Sequence, residues 1–362
     1  MQTLSECLGE ELYSETIENS VINIGFGEKL KEIFKKEKIK LAFLGASITC
    51  GYSPNPDEEG ICYVDYLKEM LEQTGKKVDA RNYAVSGTNC FVGLMITQLM
   101  VKDFAPDIIF LEYAINEESY AIGLEKFESL VRMSLKLDNS PVVIPVSMFD
   151  REGYSCEGYM LHFAKMYGVP MTGFYESVYN KLIKTGRLPL EVYTEDKGHP
   201  HPDGHKFIAK AIMRTIERSI HENMPDLPLP EPMTPARFEN FHLLDIEKSL
   251  VGVEPYDYNQ SPFKSCWKKV QNGNPLFLET DIECSQILVM YVKGNTSKFA
   301  VTNVISDGEK AGGFSGHSLF GWNNPWFDLV MSEDEKKMRH IRFETEKGDE
   351  NKELYIFAVA YC

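Results

Sequence analysis

The sequence has no surplus of positive charge. Its 38 Lys and Arg stand against 54 Asp and Glu, a formal net charge of -16. Such an excess repels phosphate backbones and anionic lipid surfaces, so neither nucleic acid nor a membrane is an expected partner. Long hydrophobic runs are also missing, and no uninterrupted apolar stretch approaches the length needed to span a bilayer. The opening residues Met1-Gln2-Thr3-Leu4-Ser5-Glu6 carry no basic segment and lead into no apolar one, so a secretion signal is not expected. The eight cysteines (Cys7, Cys50, Cys62, Cys90, Cys156, Cys266, Cys284, Cys362) form no C-x-x-C pair. That usage reads as free thiols in a reducing cytoplasm, with Cys50 and Cys90 as small buried hydrophobes. The sequence also shows no internal repeat and no low-complexity tract.

What is present is core-forming material in two textures. At 362 residues the chain suggests two domains. From about residue 38 to 221, apolar strands alternate with helical patterns. Strands are predicted at 40–44, 77–84, 108–111, 141–147 and 169–172. Helices are predicted at 27–36, 63–74, 94–104, 125–137, 159–167, 178–184 and 207–221. Strands that are apolar nearly throughout, separated by amphipathic helices, imply an α/β fold with a parallel sheet covered on both faces. A Pro-rich stretch, Pro225-Asp226-Leu227-Pro228-Leu229-Pro230-Glu231-Pro232, then reads as a semi-rigid linker. Beyond it the helical patterns fade. Strands at 276–278, 286–292, 299–305, 340–344 and 353–361 between Gly, Asn and Asp turns suggest an antiparallel β domain, a sandwich. The expected division is 1–224, a linker at 225–235, and 236–362.

The first apolar strand ends in Gly45-Ala46-Ser47-Ile48-Thr49. A nucleophilic hydroxyl needs this placement, on a tight turn at the carboxyl end of a buried strand. Far downstream, Asp196-Lys197-Gly198-His199-Pro200 offers a carboxylate and an imidazole three residues apart. Together they supply nucleophile, base and orienting acid, as acyl transfer requires. The Ser47 N–H, the Gly87 N–H and the Asn116 amide, each shortly after a predicted strand, are candidate donors to an oxyanion. The plainer alternatives are a turn or N-cap serine, a surface-loop histidine, a turn glycine and an N-cap asparagine. His199-x-His201-x-x-x-His205 has ligand-capable spacing, but no Cys or Glu clusters with it, so no metal is expected. His205 is expected in the first turn of the last helix, bonded to a neighbouring carbonyl. Tyr52 and Tyr63 stand near the serine in sequence without a role that the sequence assigns.

These segments resemble, in order, the four blocks of the SGNH (GDSL-like) hydrolase superfamily. Gly45-Ala46-Ser47-Ile48-Thr49 resembles the nucleophile block, Ser86-Gly87 the glycine block, Ala114-Ile115-Asn116-Glu117 the Gly-x-Asn-Asp block and Asp196-Lys197-Gly198-His199-Pro200 the Asp-x-x-His-Pro block. The resemblance covers roughly residues 38–220. It departs at Ala114, at Glu117 and in Ala46-Ser47, where the family often has Gly, Asp and Asp-Ser; no catalytic group is lost. It implies a flavodoxin-like three-layer α/β/α domain with Ser47, Gly87, Asn116 and His199 as the name-giving residues. The coupling to a C-terminal β domain is similar to that of bacterial carbohydrate acetyl esterases, including acetyl-mannan esterases.

What the resemblance implies is a serine esterase that removes acetyl groups from mannan- or xylan-derived oligosaccharides, with no cofactor. The stretch from Phe314 to Phe327 gathers two of the three Trp, Trp322 and Trp326, into a Gly/Asn-rich loop suited to sugar rings. The alternative for that stretch is a core aromatic cluster. Two rival functions stay open: an acyl-lipid or thioester hydrolase on the same fold, and a glycan-binding protein without catalysis. Homo-oligomerisation is likewise open.

Overall fold

A computed structural model describes residues 2–194, 196, 198–319 and 321–362. Lys197 of the Asp196–Pro200 segment and Phe320 of the aromatic stretch lie outside the described residues. The chain forms two compact units, Met1–Ala236 and Arg237–Cys362.

The first unit is built on six strands: β1 (Val21–Asn23), β2 (Lys38–Gly45), β3 (Lys77–Asn82), β4 (Ile108–Glu112), β5 (Val142–Ser147) and β6 (Met171–Gly173). They hydrogen-bond in the order β1-β6-β5-β4-β2-β3. From β3 to β6 every pairing is parallel. Leu41, Phe43, Leu44, Ile108 to Leu111 and Val142 to Ile144 are fully buried, as parallel strands under helices must be. Each such side chain contributes about 1.5–3 kcal/mol on burial.

Helices cover the two faces. Tyr63–Gln73 buries Val64, Leu67 and Leu71 and packs with Pro202–His221. Cys90–Ile96, Ala121–Leu135 and Glu157–Tyr167 pack with one another in series. This is the doubly wound arrangement, and the strand order reverses between β2 and β4. Ligands of such sheets bind at that reversal, outside the carboxyl ends of the strands.

Two features differ from expectation. The N-terminal segment, where no element is predicted before residue 27, contains a helix at Leu4–Asn19, capped by Thr3 and Glu6 and interrupted at Gly9. It leads into β1, which pairs antiparallel with β6 and so gives the otherwise parallel sheet one reversed edge. The helix expected at 94–104 begins earlier, at Cys90, where Asn89 accepts from the Phe91 N–H.

The second unit is all antiparallel: β7 (His242–Leu243), β8 (Val253–Gln260), β9 (Phe263–Lys269), β10 (Leu276–Gly294), β11 (Val301–Ser306), β12 (Glu309–Ser315), β13 (Trp322–Thr345) and β14 (Tyr355–Tyr361). The order is β12-β11-β13-β10-β14-β9-β8, with β7 on β14. The expected short strands at 276–278 and 286–292 are parts of one long strand, β10, paired along its length with β13 through several bulges. Phe277, Cys284, Ile287, Val289, Val304 and Phe343 are at the centre of the core. Trp322 and Trp326, expected in a loop, belong to β13.

Candidate active site

Ser47 sits where β2 turns into the short helix Ser47–Cys50. Ala46 is the N-cap, so Ser47 is the first helical residue and its hydroxyl is not spent on capping. The turn is tight enough to require glycine before it: a Cβ on Gly45 would lie 2.3 Å from Thr49 Oγ1.

Ser47 Oγ lies 2.8 Å from His199 Nε2. His199 Nδ1 lies 2.5 Å from Asp196 Oδ2. Asp196 is itself held, because its Oδ1 accepts from the backbone N–H groups of Gly198 and His199, each at 2.9 Å. Burial pushes its carboxyl pKa up, but those two donors and the imidazole outweigh burial, and it ends below the ordinary value. The loop that carries the pair is closed at its base, where Thr194 bridges Pro200 and His201 N–H donates to Tyr193. A Cβ on Gly198 would press on Asp150 and Phe149 at 3.2 Å, so glycine is also needed here.

Tyr52, which the sequence left without a role, packs edge-on against the His199 ring with centroids 4.6 Å apart. Its backbone N–H bonds back to Ser47 O, which fixes its place beside the serine. Tyr63 is instead fully buried, and its hydroxyl meets Thr49 Oγ1 at 2.9 Å.

Gly87 and Asn116 follow β3 and β4, the neighbours of β2 on either side. Val85 N–H donates to Gly45 O, which carries the glycine segment along the end of β2. Gly87 has φ +72°, a conformation that favours glycine. Asn116 does not cap a helix; the next one begins at Ala121 with Tyr120 as N-cap. Its Oδ1 is buried without a hydrogen-bond partner.

His205 stands in the first turn of Pro202–His221, as expected, but its Nδ1 is buried without a partner and its ring stacks on Tyr63. Burial, with His199 nearby, lowers its pKa to about 3, so it is neutral at working pH. His201 Nδ1 is 3.4 Å from Glu58. Among the described residues no group of three or more His, Cys, Asp and Glu is arranged to hold a metal ion.

The sequence did not reveal Glu112. It ends the apolar run of β4, fully buried beneath the Ser47 turn, and its Oε2 accepts from Thr49 Oγ1 at 3.0 Å. Burial raises its pKa from 4.5 to about 7. Below pH 4.5 it is protonated in both folded and unfolded chains. Between pH 4.5 and about 7 the unfolded chain releases this proton while the folded one keeps it, so stability falls across that window by something on the order of 3 kcal/mol and levels off above it. Glu112→Gln keeps an oxygen for Thr49 and should therefore lose less stability than wild type between pH 5 and 8, read by urea unfolding. Parallel losses in the two proteins would remove Glu112 as the cause.

In the second unit, Trp322 is 55% exposed. Trp326 is half-buried against the core, and the Lys293 ammonium lies 4.3 Å over its ring. Tyr256, Tyr258, Phe299, Lys298, Asn323 and Tyr355 line an open cavity of about 170 Å³ in the same unit.

No family model matches this chain. No curated protein matches it either. Among solved structures, the chain is similar to a two-domain esterase active on acetylated mannans, co-crystallised with mannopentaose. The TM-score is 0.80 at 22% identity, over 95% of this chain and 97% of that one. A second structure of a two-domain esterase active on acetylated mannans gives 0.80 at 23% identity, over 95% and 98%. An acetylxylan esterase from Geobacillus stearothermophilus overlaps 49% of this chain and 94% of its own at TM-score 0.39 and 20% identity. The first two share the architecture of both units.

Proposed function

We propose that this chain is a serine esterase of the SGNH type that removes O-acetyl groups from oligosaccharides, with acetylated manno-oligosaccharides as the first candidates. One observation carries the reading: Ser47 Oγ, the His199 ring and the Asp196 carboxylate form an unbroken line of contacts at 2.8 and 2.5 Å.

In this mechanism Ser47 Oγ attacks the acetyl carbonyl carbon while His199 Nε2 takes its proton. Asp196 holds the proton on Nδ1 and stabilises the imidazolium. The carbonyl oxygen becomes an oxyanion, held by the N–H groups of Ser47 and Gly87 and by the Asn116 side-chain amide. Collapse expels the sugar oxygen, which takes the proton from His199. Water, deprotonated by the same imidazole, then attacks acetyl-Ser47; collapse releases acetate, and Ser47 Oγ takes the proton back from His199. No step calls for a cofactor.

The sugar side rests on separate features. The architecture of both units is similar to that of an esterase described as active on acetylated mannans. The exposed face of Trp322 suits the C–H face of a sugar ring, whereas Trp326 already carries Lys293 over its ring. The tyrosine-lined cavity offers apolar faces with a few polar groups, the usual make-up of a small-ligand site. All eight cysteines are free thiols, which suits the cytoplasm.

The test is acetate release from acetylated manno- and xylo-oligosaccharides, with acetyl groups counted by mass, against hydrolysis of long-chain p-nitrophenyl esters. Acetate release with little activity on long chains is expected. The reverse ranking would favour the lipid or thioester reading, and sugar binding without acetate release the non-catalytic one. Trp322→Ala should weaken binding of manno-oligosaccharide to the protein about 5–20-fold, a loss of about 1–2 kcal/mol of stacking, and leave p-nitrophenyl acetate hydrolysis unchanged. Equal affinities would remove Trp322 from the sugar-binding surface.

A further inference from the structure

Glu117 follows Asn116 directly and is almost fully buried, at 2% exposure. Its partner Lys126, on the helix Ala121–Leu135, is buried to 1%. Lys126 Nζ lies 2.5 Å from Glu117 Oε1 and is also paired with Glu118. The other carboxylate oxygen, Oε2, accepts from the Cys90 backbone N–H at 3.0 Å. Cys90 stands three residues after Gly87 and opens the helix behind it. The Glu117 carbonyl oxygen accepts from Tyr154 Oη and, at 3.4 Å, from Cys156 Sγ. One carboxylate thus ties together the segment bearing Asn116, the segment bearing Gly87 and the helix Ala121–Leu135.

Stability alone does not explain an ion pair in this place. Removing two charges from water costs several kcal/mol per ion, and an apolar pair of similar volume commonly serves the fold as well or better. Burial by itself would lower the Lys126 pKa; Glu117 and Glu118 outweigh it and leave it raised. What the carboxylate adds is a fork with two acceptors on different elements, which an apolar side chain lacks.

We propose that the Glu117–Lys126 pair is a positioning device that holds Gly87 and Asn116 in register as the two outer donors to the oxyanion. This rests on the esterase reading of the Ser47 site. Neither residue touches substrate. They act by keeping two loops at a fixed separation, and donor placement within a few tenths of an ångström decides how much an oxyanion is stabilised.

Glu117→Gln is the direct probe. Its amide oxygen can still accept from Cys90, but its NH₂ then faces the Lys126 ammonium, donor against donor. With p-nitrophenyl acetate, kcat should fall about 10–100-fold with KM within about twofold. Affinity for methylboronic acid, which forms a tetrahedral adduct on a nucleophilic serine, should fall by the same factor as kcat/KM. Because Glu117→Gln leaves the buried Lys126 ammonium with Glu118 as its one carboxylate partner, Glu117→Leu/Lys126→Leu is made beside it. This double variant removes both charges, and should fold with a melting temperature near wild type yet keep the deficit in kcat and boronate affinity. A folded variant with both within about twofold of wild type would overturn the proposal and leave the pair a packing feature. If wild type itself neither hydrolyses the ester nor binds the boronate, the esterase reading falls first and this inference with it.

Discussion

Replacing Ser47 by alanine is expected to lower kcat on acetylated oligosaccharide by about 10⁵–10⁶-fold, a loss of about 7–8 kcal/mol from the transition state. The hydroxyl is the protein's own nucleophile in the proposed mechanism, the group that bonds to the acyl carbon before water does, so without it nothing remains to be acetylated. KM should change little, because the methylene and the Ser47 N–H stay in place. The fold should be indifferent to the change. Ala46, not Ser47, caps the helix, and Ser47 Oγ makes its contact with His199. Acetate release and thermal unfolding, measured on the same preparation, separate these effects. A Ser47→Ala protein with more than about one-hundredth of wild-type activity would place the nucleophile elsewhere.

The second large effect is expected at Asp196. Asp196→Asn should cost about 10³–10⁴-fold in kcat near neutral pH, although it changes one atom. The Asn carbonyl oxygen can still accept from the Gly198 and His199 N–H groups, so the loop keeps its shape. The new NH₂ replaces Oδ2, which lies 2.5 Å from His199 Nδ1. Two donors cannot face each other, so the imidazole must present a bare Nδ1 and carry its proton on Nε2, toward Ser47. In that tautomer it cannot accept the serine proton. The same carboxylate has a stability signature of the opposite sign to Glu112. Its folded pKa is below 3.8, so its contribution is present above that value and fades as pH falls through the folded value. Asn at 196 should therefore remove part of the acid sensitivity while Glu112→Gln alters the neutral range. Activity of Asp196→Asn within about tenfold of wild type would show that the carboxylate does not set the tautomer.

The sequence made these residues visible because their chemistry is local. Gly45 and Ser47 share one turn, and Asp196 and His199 share one loop, so spacing alone suggests that each pair can act together. The strands of the first unit were visible for a similar reason. Runs such as Ile108-Ile109-Phe110-Leu111 are buried on both faces and read as continuous apolar segments. The N-terminal helix was not, because Gly9 interrupts it with φ +72° and its buried residues are only Leu4, Tyr13 and Thr16. In the second unit, β10 was read as two strands. Glu279, Asp281 and Glu283 break its apolar pattern, yet their alternation with Ile282 and Cys284 is that of a strand with one wet face.

Buried charge was the least visible feature. Glu112, Glu117 and Lys126 look like ordinary surface residues until their partners are known. Those partners come from tertiary structure: Thr49 for Glu112, the Cys90 N–H for Glu117, and Glu117 itself for Lys126. No periodicity marks them. The weak signals were Glu112 closing an apolar strand and Glu117 standing beside Asn116.

The central claim, that Ser47 is a nucleophile activated by His199, is tested most directly by covalent labelling. Diethyl p-nitrophenyl phosphate transfers its diethylphosphoryl group to an activated serine and releases p-nitrophenolate, with the serine proton passing to the base. The expected result is one diethylphosphoryl group per chain, located by peptide mass to the segment containing Ser47, with esterase activity lost in proportion and no label on His199→Ala. Inactivation with the label on another residue, or full labelling of His199→Ala at the wild-type rate, would contradict it.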